Sequence, residues 1–175
     1  MGGNRGALIV DVKAKTYRKL VKKAQSLATE KASATLAETV LAEAILKTRV
    51  VAELQQVASQ VVKGIAAELP TLQAVAVVEA ASGATLAAYS GTVSLHLETA
   101  AAYSAEVVKQ KQKALAALQL TDERIEDILV TLSTQLHLIK LSADGRKFIY
   151  LVVDARDTNL AVAREVLSGS VAALA

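Results

Sequence analysis

Few side chains in this sequence have the chemistry of a catalytic or metal site, and they do not assemble into one. His96 and His137 stand apart, with no His-x-x-x-His or Glu-x-x-His spacing to complete a set of ligands. Each reads as a surface or hydrogen-bonded histidine, and a metal site shared across a dimer would require two of them to meet. Glu123, Glu126 and Asp127 are clustered acids. Acid–base catalysis by a carboxylate pair needs one member buried with a raised pKa, whereas these three fall at a turn leading into a strand, where solvated acids are the expectation. No Gly-x-x-x-x-Gly-Lys-Ser/Thr loop and no Gly-x-Ser-x-Gly elbow occurs. The absence of cysteine excludes thiolate zinc sites, iron–sulfur clusters, thiol nucleophiles and disulfides. The chain reads as non-enzymatic, with no cofactor and no metal.

Surfaces are then where function is to be sought, and charge marks the first. The formal charge of +3 hides an asymmetry. Residues 1–23 carry seven bases, among them Lys15, Arg18, Lys19, Lys22 and Lys23, against the single acid Asp11. The remainder holds 13 bases and 16 acids. A basic end on a mildly acidic body suits an anionic surface, or simply a solvated helix face. With Tyr17 as its one aromatic, the segment lacks the interleaved aromatics of single-strand binders, so nucleic acid is not the expected partner. No run of about 18 apolar residues is present to span a membrane. The first residues, Met-Gly-Gly-Asn-Arg, lack a secretory apolar core. A cytoplasmic protein is the expectation.

At 175 residues and 53% apolar content, the chain suffices for one well-cored domain with an appendage. Residues 7–12 read as a short strand or an extended lead-in. Tyr17, Leu20, Val21, Ala24, Leu27 and Ala28 recur at helical spacing, with the bases largely on the other side. Thr35-Leu36-Ala37-Glu38 has the spacing of a capping box and predicts a helix start. The pattern from 35 to 68 fits one long helix, or two with a break near Thr48, ending at Leu69-Pro70. Strands follow at 72–78 and 84–89, joined through Ala81-Ser82-Gly83. A second helix is expected over 94–118, with Lys109, Lys111 and Lys113 placed late to suit the negative end of its dipole. Strands at 128–134, 136–141 and 148–153 come next. The last two are joined by Asp144-Gly145, a pair favoured where both turn residues need positive φ, and the apolar run Phe148–Val153 predicts a central strand covered on both faces. Asp157-Thr158-Asn159 caps a final helix. The result is an α+β fold: a five-stranded antiparallel sheet with helices on both faces, in the order α-ββ-α-βββ-α. A basic, mainly helical extension, residues 1–47, precedes the domain, residues 48–175.

This order, together with several stretches, resembles the Roadblock / dynein-light-chain family, which includes bacterial MglB-like regulators of small GTPases. Residues 74–90 are similar to that family's opening hairpin, although the turn reads Ala-Ser-Gly where Asp-Gly is commoner. Asp127–Thr131 with His137–Lys140 resembles its third and fourth strands. Leu151-Val152-Val153-Asp154 followed by Asn159-Leu160-Ala161-Val162-Ala163-Arg164 resembles its last strand and helix. The resemblance covers roughly residues 48–172 and rests on packing signatures. It implies a profilin/longin-like fold and a cytoplasmic homodimer in which third strands pair edge to edge and second helices lie side by side. On that analogy Ile128, Val130 and Leu132 form the dimer edge strand. Glu98, Tyr103, Glu106, Lys109, Gln110 and Lys113 on the second helix form the partner-binding face. Tyrosine is enriched at interfaces, which makes Tyr89, Tyr103 and Tyr150 candidate anchors, although Tyr150 in its apolar run reads more readily as core. The function implied is a regulator or scaffold that binds a Ras-like small GTPase. The alternative is an assembly subunit docking a larger complex through its basic extension, without a GTPase.

Overall fold

The computed structural model describes residues 5–91 and 96–174, with side chains described for 18–91 and 96–174. Among these residues the elements follow in the order α1 (Arg5–Glu68), β1 (Leu72–Glu79), β2 (Thr85–Ser90), α2 (Leu97–Ala117), β3 (Asp127–Thr131), β4 (Gln135–Leu141), β5 (Lys147–Asp154), α3 (Leu160–Val171) and a short 3-10 turn, Ala172–Leu174. The chain divides into two compact units, Met1–Val50 and Val51–Ala175.

The first unit is helical, and two local expectations fail there. Residues 7–12 are helix, neither strand nor extended lead-in. The capping-box spacing at Thr35 does not start a helix, because α1 passes straight through it. Between Gly6 and Gly64 the sequence contains neither glycine nor proline, so nothing interrupts propagation. Thr35 bonds instead backwards, its hydroxyl donating to the Lys31 carbonyl at 2.9 Å. Thr48 does the same to Ala44 at 2.9 Å, so no break occurs there. The helix stops at Glu68, just before the Leu69-Pro70 pair.

The second unit is a three-layer sandwich. Its strands are ordered β2-β1-β5-β4-β3, every pairing antiparallel. Alternation of side chains gives the sheet two apolar faces. Val75, Val77, Leu138, Ile149, Leu151 and Val153 pack beneath Ala58, Val61, Val62 and Ile65 of α1 and Ala163 and Leu167 of α3. Ala74, Ala76, Val78, Ile139, Phe148, Tyr150 and Val152 pack beneath Leu97, Ala101, Ala105 and Val108 of α2. Central strand β5 feeds both cores, as its near-continuous apolar run predicts.

Three joints fix the layers. In the β1–β2 turn Gly83 adopts φ +74°, and a Cβ there would lie 3.2 Å from the Ala102 backbone, so α2 sits close against the hairpin. Asn159 caps α3, accepting from the Ala161 N–H at 2.9 Å. The β4–β5 turn differs from expectation. Gly145 alone of the Asp-Gly pair has positive φ, at +66°. The Gly145 N–H donates to the Ser142 carbonyl at 2.9 Å, giving a tight turn closed by a left-handed glycine in a loop too long for the two-residue form. Asp144 instead accepts from the Ser142 hydroxyl at 2.6 Å and the Arg146 N–H at 3.0 Å. Those bonds, the hydroxyl's first, hold its carboxyl below the usual range.

Helix α2 is also shorter than expected, ending at Ala117 without a base in its last turn. Hydrogen bonds close it instead, from Gln119 N–H to Ala116 O at 3.1 Å and from Leu120 N–H to Leu115 O at 3.0 Å. This is a Schellman motif with Gln119 at φ +58° where glycine is usual. At the other end of α2, the predicted first residues 94–95 lie outside the described residues.

Candidate partner-binding surfaces

The inner stripe of α2, with Ala101, Ala105 and Val108 fully buried, locks the helix on the sheet and aims the opposite ridge outward. Tyr103, Glu106, Gln110 and Lys113 recur at helical spacing along that ridge, all exposed. Tyr103 is 72% exposed, a large aromatic held in water on a rigid element. Lys109 is set apart from the ridge. It pairs with Glu106, is half-buried, and donates to the Ala81 carbonyl of the first hairpin at 3.3 Å. Glu98 is exposed in the first turn of the helix.

The second surface is the β3 edge. Among the described residues β3 pairs with β4 alone and ends the sheet. Ile128 packs partly into the core beneath α2, while Val130 on the same face is 44% exposed. Leu132 lies just past the strand, its N–H donating to Gln135 O in the turn, and is 45% exposed. Asp127 at the strand's start forms a two-pronged ion pair with Arg164 of α3, at 3.0 and 3.2 Å. One of the three clustered acids is thereby a structural tie, while Glu123 and Glu126 are exposed.

A polar chain that sequence reasoning missed crosses the sheet beside this edge. The buried Tyr150 hydroxyl contacts His137 Nδ1 at 2.7 Å, His137 Nε2 contacts Gln135 Oε1 at 3.2 Å, and Gln135 Nε2 donates to Gln73 Oε1 at 2.7 Å. A single assignment satisfies it throughout: Tyr150 donates, and the imidazole carries its proton on Nε2. Burial lowers the His137 pKa and raises that of Tyr150, so the phenol remains a donor to a neutral ring. His96 is exposed and lies outside this chain of bonds. Tyr89 is exposed on β2. Among the described residues no three His, Cys, Asp or Glu side chains gather as a metal site, and no helix is long and apolar enough to cross a membrane. A surface depression of about 380 Å³ beside the α2 C-terminus includes Gln112, Arg124 and Asp144, the last already engaged within its turn.

Sheet order, helix placement and the open β3 edge together define a known arrangement. The structure superposes on Myxococcus xanthus MglB with a TM-score of 0.55 at 14% identity, over 71% of this chain and 86% of that one. It superposes on the gliding protein MglB of Thermus thermophilus with a TM-score of 0.58 at 16% identity, over 69% and 87%. A Roadblock/LC7 domain from Streptomyces avermitilis gives 0.55 at 14% identity, over 65% and 90%. The chain has the Roadblock/LC7 fold. No family model matches the sequence, and no curated protein does.

On this Roadblock/LC7 frame the remaining candidates lie in the first unit. Arg18, Lys19, Lys22 and Lys23 are exposed on α1, while the side chain of Lys15 lies outside the described residues.

Proposed function

We propose that this chain is a non-enzymatic homodimeric regulator or scaffold that binds a Ras-like small GTPase through the outer ridge of α2. The observation that carries this reading is Tyr103, presented in water by a helix whose opposite stripe, Ala101, Ala105 and Val108, is fully buried. Large aromatics on rigid elements are the anchors that dominate protein interfaces. Glu106, Gln110 and Lys113 supply the polar surround, and the exposed β3 edge supplies the seam for a second copy. The mechanism is differential affinity: the surface fits one arrangement of the GTPase switch segments better and shifts their existing equilibrium. The resemblance to small-GTPase regulators in the strands and last helix supports the reading.

Titration calorimetry of the full chain against the Ras-like GTPases of its own cell, loaded with GDP or a GTP analogue, tests it. We expect binding in one nucleotide state, weakened about tenfold or more by Tyr103→Ala and weakened by Lys113→Glu. Lys109 is a poorer probe, because its ammonium also ties α2 to the first hairpin. No binding in either state overturns the reading. A partner held by the basic residues Arg18, Lys19, Lys22 and Lys23, without a GTPase, would instead identify an assembly subunit, a reading favoured by the exposure of all four.

A further inference from the structure

Every described side chain from Arg18 to Val50 is exposed, yet this stretch of α1 is not polar. Leu36 is 66% exposed, Val40 58% and Leu41 61%. A single helix with an unburied apolar stripe gains little from its own hydrogen bonds and is stabilised mainly by packing. The spacing of the stripe specifies what kind of surface fits it. Ala37, Val40, Ala44 and Lys47 recur three and four residues apart, the a and d positions of a heptad, with Leu36 and Leu41 flanking them. The alanines at successive a positions permit close approach of another helix.

We propose that this stripe is the docking surface for the same stripe of a second copy, the two helices running antiparallel about a two-fold axis near Ala44 and Ile45. Charge selects both the occupant and the direction. Glu43 and Lys47 lie one on either side of that axis. Antiparallel pairing sets Lys47 of each copy beside Glu43 of the other, its stem crossing the small Ala44. Parallel pairing would set Lys47 against Lys47. It would also bring together the two basic stretches, each with Arg18, Lys19, Lys22 and Lys23, whereas the antiparallel arrangement separates them. An anionic membrane is the poorer occupant for residues 36–50, because Glu38 and Glu43 offset Lys47 and Arg49 there and no basic surplus remains. The pairing requires neither β3 nor the α2 ridge, so it stands or falls independently of GTPase binding.

Sedimentation of the full chain provides the test. Val40→Glu, Glu43→Lys and Lys47→Glu should each halve the oligomer mass. Equimolar mixing of the Glu43→Lys and Lys47→Glu chains should restore it, which charges paired only within one helix would not do. Because the chain has no cysteine, direction can be read by single-site cross-linking: Ala44→Cys should form a disulfide between copies, and Ala37→Cys should not. Unchanged mass in Val40→Glu overturns the proposal. So does a full cross-link at Ala37→Cys, or a monomer that associates only with anionic vesicles.

Discussion

At the scale of single residues, His137 has the environment with the clearest consequence. It is held neutral by burial and by the Tyr150 hydroxyl, which needs an unprotonated Nδ1. In the unfolded chain the ring returns to a pKa of about 6.5. Its folded value is lower, so the unfolded state takes up the proton first as pH falls. The stability His137 contributes is therefore complete above about pH 6.5 and is lost progressively below it, through the folded value. Urea denaturation at pH 8, 6.5 and 5 should show stability falling with acid, with a shallower fall in His137→Gln; identical slopes would refute the assignment. Nothing in the sequence announces this pair. His137 and Tyr150 lie 13 residues apart on neighbouring strands, and they meet because the register sets His137 opposite Val152 and Ile139 opposite Tyr150. Tyr150 reads correctly as core, but a hydroxyl at the end of a core ring acquires meaning only once its neighbours are known.

At the scale of elements, signals differ in how far they can be trusted alone. The strands were legible because β-branched runs bounded by glycine and polar turns carry their own period. Asn159 was legible as a cap because its side chain acts on the backbone two residues away. The Thr35–Glu38 box misled because a capping box matters only where the preceding chain leaves the helix, and residues 24–34 contain nothing to make it leave. The left-handed conformation of Gln119 had no signal, since glutamine is an ordinary helix residue and the Schellman bonds around it form with backbone atoms. That position carries a removable cost. A non-glycine residue in the left-handed region is disfavoured by about 1–2 kcal/mol, part of which is offset by the extra freedom glycine has when unfolded. Gln119→Gly should therefore raise stability by about 0.5–1 kcal/mol, read as a higher denaturation midpoint at unchanged slope.

At the scale of the whole molecule, the fold and order of layers were readable from sequence, whereas the surfaces were readable only as candidates. Tyr103 looks like any helical tyrosine until Ala101, Ala105 and Val108 are seen to point the other way. The β3 edge likewise becomes a candidate seam when the sheet order leaves it last. A lysine in such an edge opposes pairing with a copy of itself, so Val130→Lys should remove one two-fold step from the oligomer mass while leaving the circular dichroism unchanged. Equal masses would show that the edge is not a seam. The centre of the sheet imposes a different demand. β1 pairs with β5 along its length, Glu79 meeting Lys147 and Val75 meeting Leu151, with β2, α2, β3 and β4 lying between them in the chain. During synthesis β1 and β2 leave the ribosome together, and the inner edge of β1 then waits, unfilled, while those later elements are made. The growing chain must keep that apolar ribbon from other nascent chains until its proper neighbour arrives.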